Sequence, residues 1–124
     1  MKLMDAVAAH MAADEMGALT WPFSIALALV KVMKETADDF SFYISKEREL
    51  AQGYAKLDGC GNMELAQGGR FVFADPSKTQ EYERLRSELA GTELGRQPEV
   101  IRVAAPEEIR PSWLAALEGF IEFE

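Results

Sequence analysis

Cysteine and histidine are almost missing from this sequence: Cys60 and His10 are the single representatives of each in 124 residues. One thiol cannot close an intrachain disulfide, so a cross-linked extracellular scaffold is excluded and a reducing compartment is expected. His10 and Asp14 are one helical turn apart, yet a stable transition-metal centre needs further nitrogen or sulfur ligands, and the lone thiol lies far along the chain with no Cys-x-x-Cys spacing. No metal and no cofactor is expected. Positive charge is also scarce, with 13 Lys and Arg against 21 Asp and Glu and a net charge of -8. That balance repels a phosphate backbone, so nucleic acid is not an expected partner. Long apolar runs are missing too. The most apolar stretch, residues 21–33, is interrupted by Ser24 and Lys31 and falls short of the about 20 residues that cross a bilayer. The opening Met1-Lys2-Leu3-Met4-Asp5 puts an acid where a secretion signal needs an unbroken apolar core. A cytoplasmic protein without a membrane partner is expected.

What is present is globular: 48% of the residues are apolar and 27% charged, and a chain of this length suits one hydrophobic core. Residues 1–124 are expected to form a single domain. Met4, Val7, Ala8 and Met11 recur at helical spacing from Leu3 to Met16, and Gly17 ends that first helix. Thr20-Trp21-Pro22-Phe23 opens a second helix, since proline is tolerated where an amide needs no partner. In it Phe23, Ala26, Val30, Met33, Ala37, Phe40, Ile44, Ala51 and Tyr54 follow steps of three and four interrupted only at Glu47, and Leu29, Thr36, Tyr43, Leu50 and Leu57 form a second row. Asp58-Gly59-Cys60-Gly61-Asn62 breaks it. Met63-Glu64-Leu65 and Phe71-Val72-Phe73 flank Gln67-Gly68-Gly69 as a small hairpin, which Val100 to Val103 is placed to join as a third strand. Asp75-Pro76 starts a third helix whose seam of Tyr82, Leu85 and Leu89 returns along the second. Ser112 caps a last short helix, Gly119 ends it, and the tail Phe120-Ile121-Glu122-Phe123 packs. The fold expected is α+β and helix-dominated: a long antiparallel helical hairpin with a small antiparallel β element and short terminal helices. No internal repeat is evident.

The polar clusters carry little chemistry. Cys60 sits between glycines with no basic neighbour to lower its pKa, so an inert loop thiol is expected. The segment from Asp58 begins like a calcium loop, but the glycine and terminal glutamate of such a loop fall on Met63 and Gly69. Gly68-Gly69-Arg70 leads into a strand rather than the helix of a phosphate loop. Glu35, Asp38 and Asp39 read as a solvated helix face. No Gly-x-Ser-x-Gly or His-Glu-x-x-His arrangement occurs, and no catalytic residue is expected.

The apolar stripe says more. A helix of about 35 residues runs about 50 Å, longer than one small domain readily covers. Either the terminal segments or a second copy must pack on it. The candidate interaction face is Phe23, Val30, Met33, Phe40, Tyr43, Ile44, Leu50 and Tyr54. The order of Trp21-Pro22-Phe23, Phe42 through Arg48-Glu49-Leu50 to Tyr54, Asp58-Gly59, Phe71-Val72-Phe73, Tyr82 to Leu89, and Leu114 to Glu122 resembles small uncharacterised phage and prophage proteins of Gram-positive bacteria. That resemblance implies a phage-derived protein working in the host cytoplasm. The function expected is a non-catalytic interaction protein, an accessory or assembly factor that works through helix faces and self-association as a homo-oligomer. Two alternatives stand beside it: an acidic inhibitor that occupies a basic, nucleic-acid-binding surface of a host protein, and an enzyme of unknown class.

Overall fold

The structure, a computed structural model, describes all 124 residues. The fold is α+β with helix dominant: α1 (Leu3–Met16), α2 (Phe23–Tyr54), a 3-10 turn at Pro76–Lys78, α3 (Thr79–Ala90), β1 (Ile101–Val103), α4 (Pro111–Leu117) and β2 (Ile121–Phe123). None of the helices is long and apolar enough to cross a membrane. Two compact units form, one from residues 1–41 and 92–124 and the other from residues 42–91. Helix α2 begins in the first and ends in the second.

In the first unit, α1 starts where the Lys2 amide donates to the Asp5 carboxylate at 2.9 Å, which favours a negative charge at the helix head. Of its expected face of Met4, Val7, Ala8 and Met11, Val7 is buried and Ala8 half-buried, and the two methionines are not. Leu3, Ala6, Val7, Ala9, Ala12, Ala13 and Met16 point inward, and Met4 and Met11 are exposed. Methyl side chains let neighbouring backbones approach closely; Met16 at the end of the helix is inside, and only Met4 and Met11 are turned out to solvent. Against this face lie Ile25, Ala28, Leu29 and Val32 of α2, Trp113 and Leu117 of α4, and Phe120 and Ile121. Each large side chain buried here contributes about 1.5–3 kcal/mol of transfer free energy. The C-terminal tail therefore packs as expected. Thr36 is the one polar residue fully inside. Its hydroxyl donates to the Val32 carbonyl at 2.7 Å and lies 3.0 Å from His10 Nδ1.

The sheet of this unit corrects two expectations. β1 pairs with β2, not with the segment 63–73, and the pair is parallel: Ile101 opposite Ile121, Arg102 opposite Glu122, Val103 opposite Phe123. Parallel neighbours need a crossover, and α4 supplies it. Nor does Ser112 cap α4. Pro111 takes the first helical position and Arg110 precedes it with no side-chain cap. Gly119 reverses the chain with φ +89°, a conformation that disfavours any residue with a Cβ.

In the second unit, α3 returns antiparallel to the later part of α2, as expected: Tyr82 meets Tyr54 and Arg86 pairs with Glu47. Asp75 caps the 3-10 turn by accepting from the Ser77 amide, with proline next in line. Between the helices lies a repeat that the sequence reading missed. Residues 55–62, 63–70 and 71–78 are three successive octads. Ala55, Met63 and Phe71 open them, Leu57, Leu65 and Phe73 take the third place, and the second residues bond in a closed triangle. Glu64 N–H donates to Lys56 O at 2.8 Å, Val72 N–H to Glu64 O at 2.9 Å, and Lys56 N–H to Val72 O at 2.7 Å. Single antiparallel bridges join Leu57 to Met63, Leu65 to Phe71 and Phe73 to Ala55. The fourth residue of each octad donates to a carbonyl that closes its loop: Asp58 to Asn62, Ala66 to Arg70, and Ala74 to Tyr54. The third octad enters helix, so Tyr54, eight residues before Asn62, replaces its missing carbonyl. The expected hairpin is thus two sides of a three-sided cap.

Candidate interaction surface

The eight residues expected to form one face are divided by the fold. Phe23 is 82% exposed, Val30 47% and Ile44 40%, whereas Tyr43 is only 4% exposed. Tyr43 cannot serve an interface, because it turns toward Glu47 and Arg86. Met33 is half-buried against the core. Phe40 is half-buried under the His10 ring, stacked at 4.4 Å and 19°. Leu50 and Tyr54 are half-buried, and Tyr54 lies edge-on to Tyr82 at 5.8 Å.

What remains exposed near the start of α2 is a continuous stripe: Phe23, Leu27 and Val30, at the i, i+4, i+7 spacing that places side chains on one helix face. Lys31 and Lys34 flank it, both exposed and paired with no carboxylate of the chain. Leu27 was not singled out from the sequence because it lies off the series of three and four that runs through Ala26. Phe23 stands there because Pro22 fixes the turn before it. The Pro22 carbonyl accepts from Ile25 and Ala26, both at 3.0 Å, so the first full helical residue is presented outward.

Beside the stripe is a concavity of about 490 Å³ lined by Leu19, Trp21, Ile109, Pro111 and Trp113, with Glu108 and Arg110 at its edge. Both indoles are held by their own N–H groups. Trp21 Nε1 donates to the Met16 carbonyl at 2.7 Å, satisfying a carbonyl in the last turn of α1, and Trp113 Nε1 donates to Glu15 at 2.9 Å. The rings meet edge to face, 6.2 Å apart at 76°, and the Arg110 guanidinium lies 4.8 Å over Trp113. In the sequence Trp21 stands only as part of a helix entry, and Trp113 as a residue of the last short helix. Their being the only two tryptophans was the available hint.

The second unit holds a cleft of about 580 Å³ with Phe71, Phe73 and Tyr82 as its wall and Glu47, Arg70 and Arg86 among its polar groups. Burial draws the Arg86 guanidinium pKa down, but hydrogen bonds with Glu47 and Tyr43 outweigh it and leave it above the ordinary arginine value. Burial, with a hydrogen bond to Glu47, raises the Tyr43 phenol, and burial raises Tyr82. Glu47 and Arg86 are 3.1 Å apart, so each charge is answered by the other. Among the sequence candidates, His10 faces Thr36 and Phe40, and Cys60 is an exposed thiol in the loop held by the Asp58 carboxylate. No three His, Cys, Asp or Glu side chains gather as metal ligands would. No family model matches the chain, and neither does any curated protein or solved structure.

Proposed function

We propose that this chain is a non-catalytic interaction protein, a phage-type accessory or assembly factor of the bacterial cytoplasm, that associates with a second copy of itself through the outer face of α2. The observation that carries this reading is Phe23, 82% exposed at the head of a stripe with Leu27 and Val30. Single exposed apolar residues are ordinary, but a phenylalanine, a leucine and a valine aligned on one helix face are not. The concavity of the first unit is lined mostly by apolar residues and the cleft of the second holds the paired Glu47 and Arg86, which suits binding of side chains better than acid–base chemistry. Carboxylates occur along α1, α2 and α3, and seven carboxylates of the chain are held in ion pairs, so the acidity is not gathered for one basic partner. Size exclusion with light scattering over a hundredfold range of concentration tests the reading. A mass rising from 13.8 kDa toward twice that value is expected, and a constant 13.8 kDa at the highest concentration overturns it.

A further inference from the structure

We propose that the cleft of the second unit binds a free α-amino acid with an apolar side chain, an activity that goes beyond the self-association reading and does not rest on it. Every lining residue, from Glu47 on α2 to Arg86 on α3, lies within residues 42–91, whereas the stripe of Phe23, Leu27 and Val30 belongs to the other unit. At about 580 Å³ the cleft has the size of a small-molecule site, for which about 300–1,000 Å³ is usual. Its wall is aromatic. Phe71 and Phe73 are half-buried and stand edge-on to Tyr82 at 5.2 and 5.5 Å, so part of each ring stays uncovered where it lines the cleft.

The polar groups of the lining decide what else the ligand carries. Tyr82 is only 6% exposed, yet its hydroxyl makes no hydrogen bond within the chain. The charges that act on this phenol are those of Arg86, Glu47 and Glu83, all three in the lining, which sets the hydroxyl at the cleft. A phenol so deeply placed ordinarily has a partner, and here the partner is what enters. Two arginines and two glutamates line the cleft, and one pair is closed, since Arg86 Nε donates to Glu47 at 3.1 Å. Arg70 and Glu83 share the same cleft but form no ion pair with each other or with any other side chain. A ligand with a carboxylate alone would be drawn to Arg70 and repelled by Glu83, and one with an ammonium alone the reverse. An α-amino acid answers both, its carboxylate meeting Arg70 and the Tyr82 O–H and its ammonium meeting Glu83, with no net charge in lining or ligand. Its side chain then lies against Phe71 and Phe73. The backbone that carries Arg70 is set before binding, because Gly69 turns it with φ +79° and the Ala66 N–H donates to the Arg70 carbonyl at 2.7 Å.

Titration of the isotope-labelled native chain with phenylalanine, followed by backbone amide shifts, tests the proposal. Saturable shifts are expected at residues 69–73 and 79–86, with those of α1 and α4 unmoved. Hydrocinnamate, which lacks the ammonium, and phenethylamine, which lacks the carboxylate, should each bind at least about tenfold more weakly, the loss of one charged hydrogen bond. Phenylalanine should lose about the same factor on Arg70→Gln, Glu83→Gln and Tyr82→Phe. The first two positions are exposed, and Tyr82→Phe keeps the ring on which Tyr54, Phe71 and Phe73 pack, so native shifts at the Lys56, Glu64 and Val72 amides are expected in all three ligand-free variants. Shifts that do not saturate, an analogue with one charge that binds as tightly as phenylalanine, or native affinity in any of the three variants overturns the proposal. The self-association test reads mass and is decided separately.

Discussion

Residues 1–41 and 92–124 bury hydrophobic side chains from three helices and both strands, whereas residues 42–91 bury only Tyr43, Ala51, Ala55 and Tyr82. The first unit is held by apolar area. The second is held by rings packed edge-on, by a triangle of backbone hydrogen bonds and by exposed ion pairs that each contribute little. Local stability follows buried apolar contact, so the two units differ in how readily they open, and the tryptophan-lined concavity belongs to the more firmly packed one.

Breaking the first core has the largest expected effect. Phe120 is 2% exposed, and Phe120→Ala should cost about 3–5 kcal/mol in urea unfolding followed by tryptophan emission. A loss below about 1 kcal/mol is incompatible with the packing described. Next comes Tyr82, against which Tyr54, Phe71 and Phe73 all pack. Tyr82→Ala should cost about 2–3 kcal/mol, seen by hydrogen exchange as lost protection at the Lys56, Glu64 and Val72 amides with Leu117 and Phe120 unaffected. Equal loss at both sets would erase the distinction between the units. Smaller still is Gly69→Ala, which meets no atom within 4 Å but must adopt φ +79°. It should cost about 1 kcal/mol, against less than about 0.5 kcal/mol for Gly59→Ala, equally open and without a positive φ.

The smallest effect is a titration. The Tyr43 and Tyr82 phenols have raised pKa values, so the folded state holds their protons more tightly than the unfolded chain. Their contribution is fully present below about pH 10, the ordinary tyrosine value, and is lost as pH rises through the folded values. Exchange at residues 42–91 should therefore accelerate above about pH 10 beyond its intrinsic rise, and Tyr43→Phe should reduce that excess.

The bounds of α2 were legible because its pattern runs for 32 residues between a proline and a glycine turn. Those of α1 were legible too, but its face only in part: Val7 is buried as expected, while Ala6, Ala9, Ala12 and Ala13 take the places given to Met4 and Met11. The parallel pair was present in outline as strand, helix, strand from residue 101 to residue 123, yet a three-residue strand carries no alternation long enough to name its partner. The octads escaped notice because position repeats and residue type does not. Ala55, Met63 and Phe71 differ in size, and only the hydrogen-bond triangle makes them equivalent. For the interaction surface, Phe23 and Val30 were found by periodicity. Trp113 and Ile109 were not, since the tryptophan-lined concavity joins residues about ninety apart in the chain.

The central claim is that the outer face of α2 is an interface, and sedimentation equilibrium of Val30→Glu beside the native chain tests it most directly. Val30 is half-exposed at the middle of the stripe, so the carboxylate leaves the monomer intact and places an unpaired charge in the contact. A native dimer and a Val30→Glu monomer of 13.8 kDa at the same concentration are predicted. Equal association of the two chains would contradict the account.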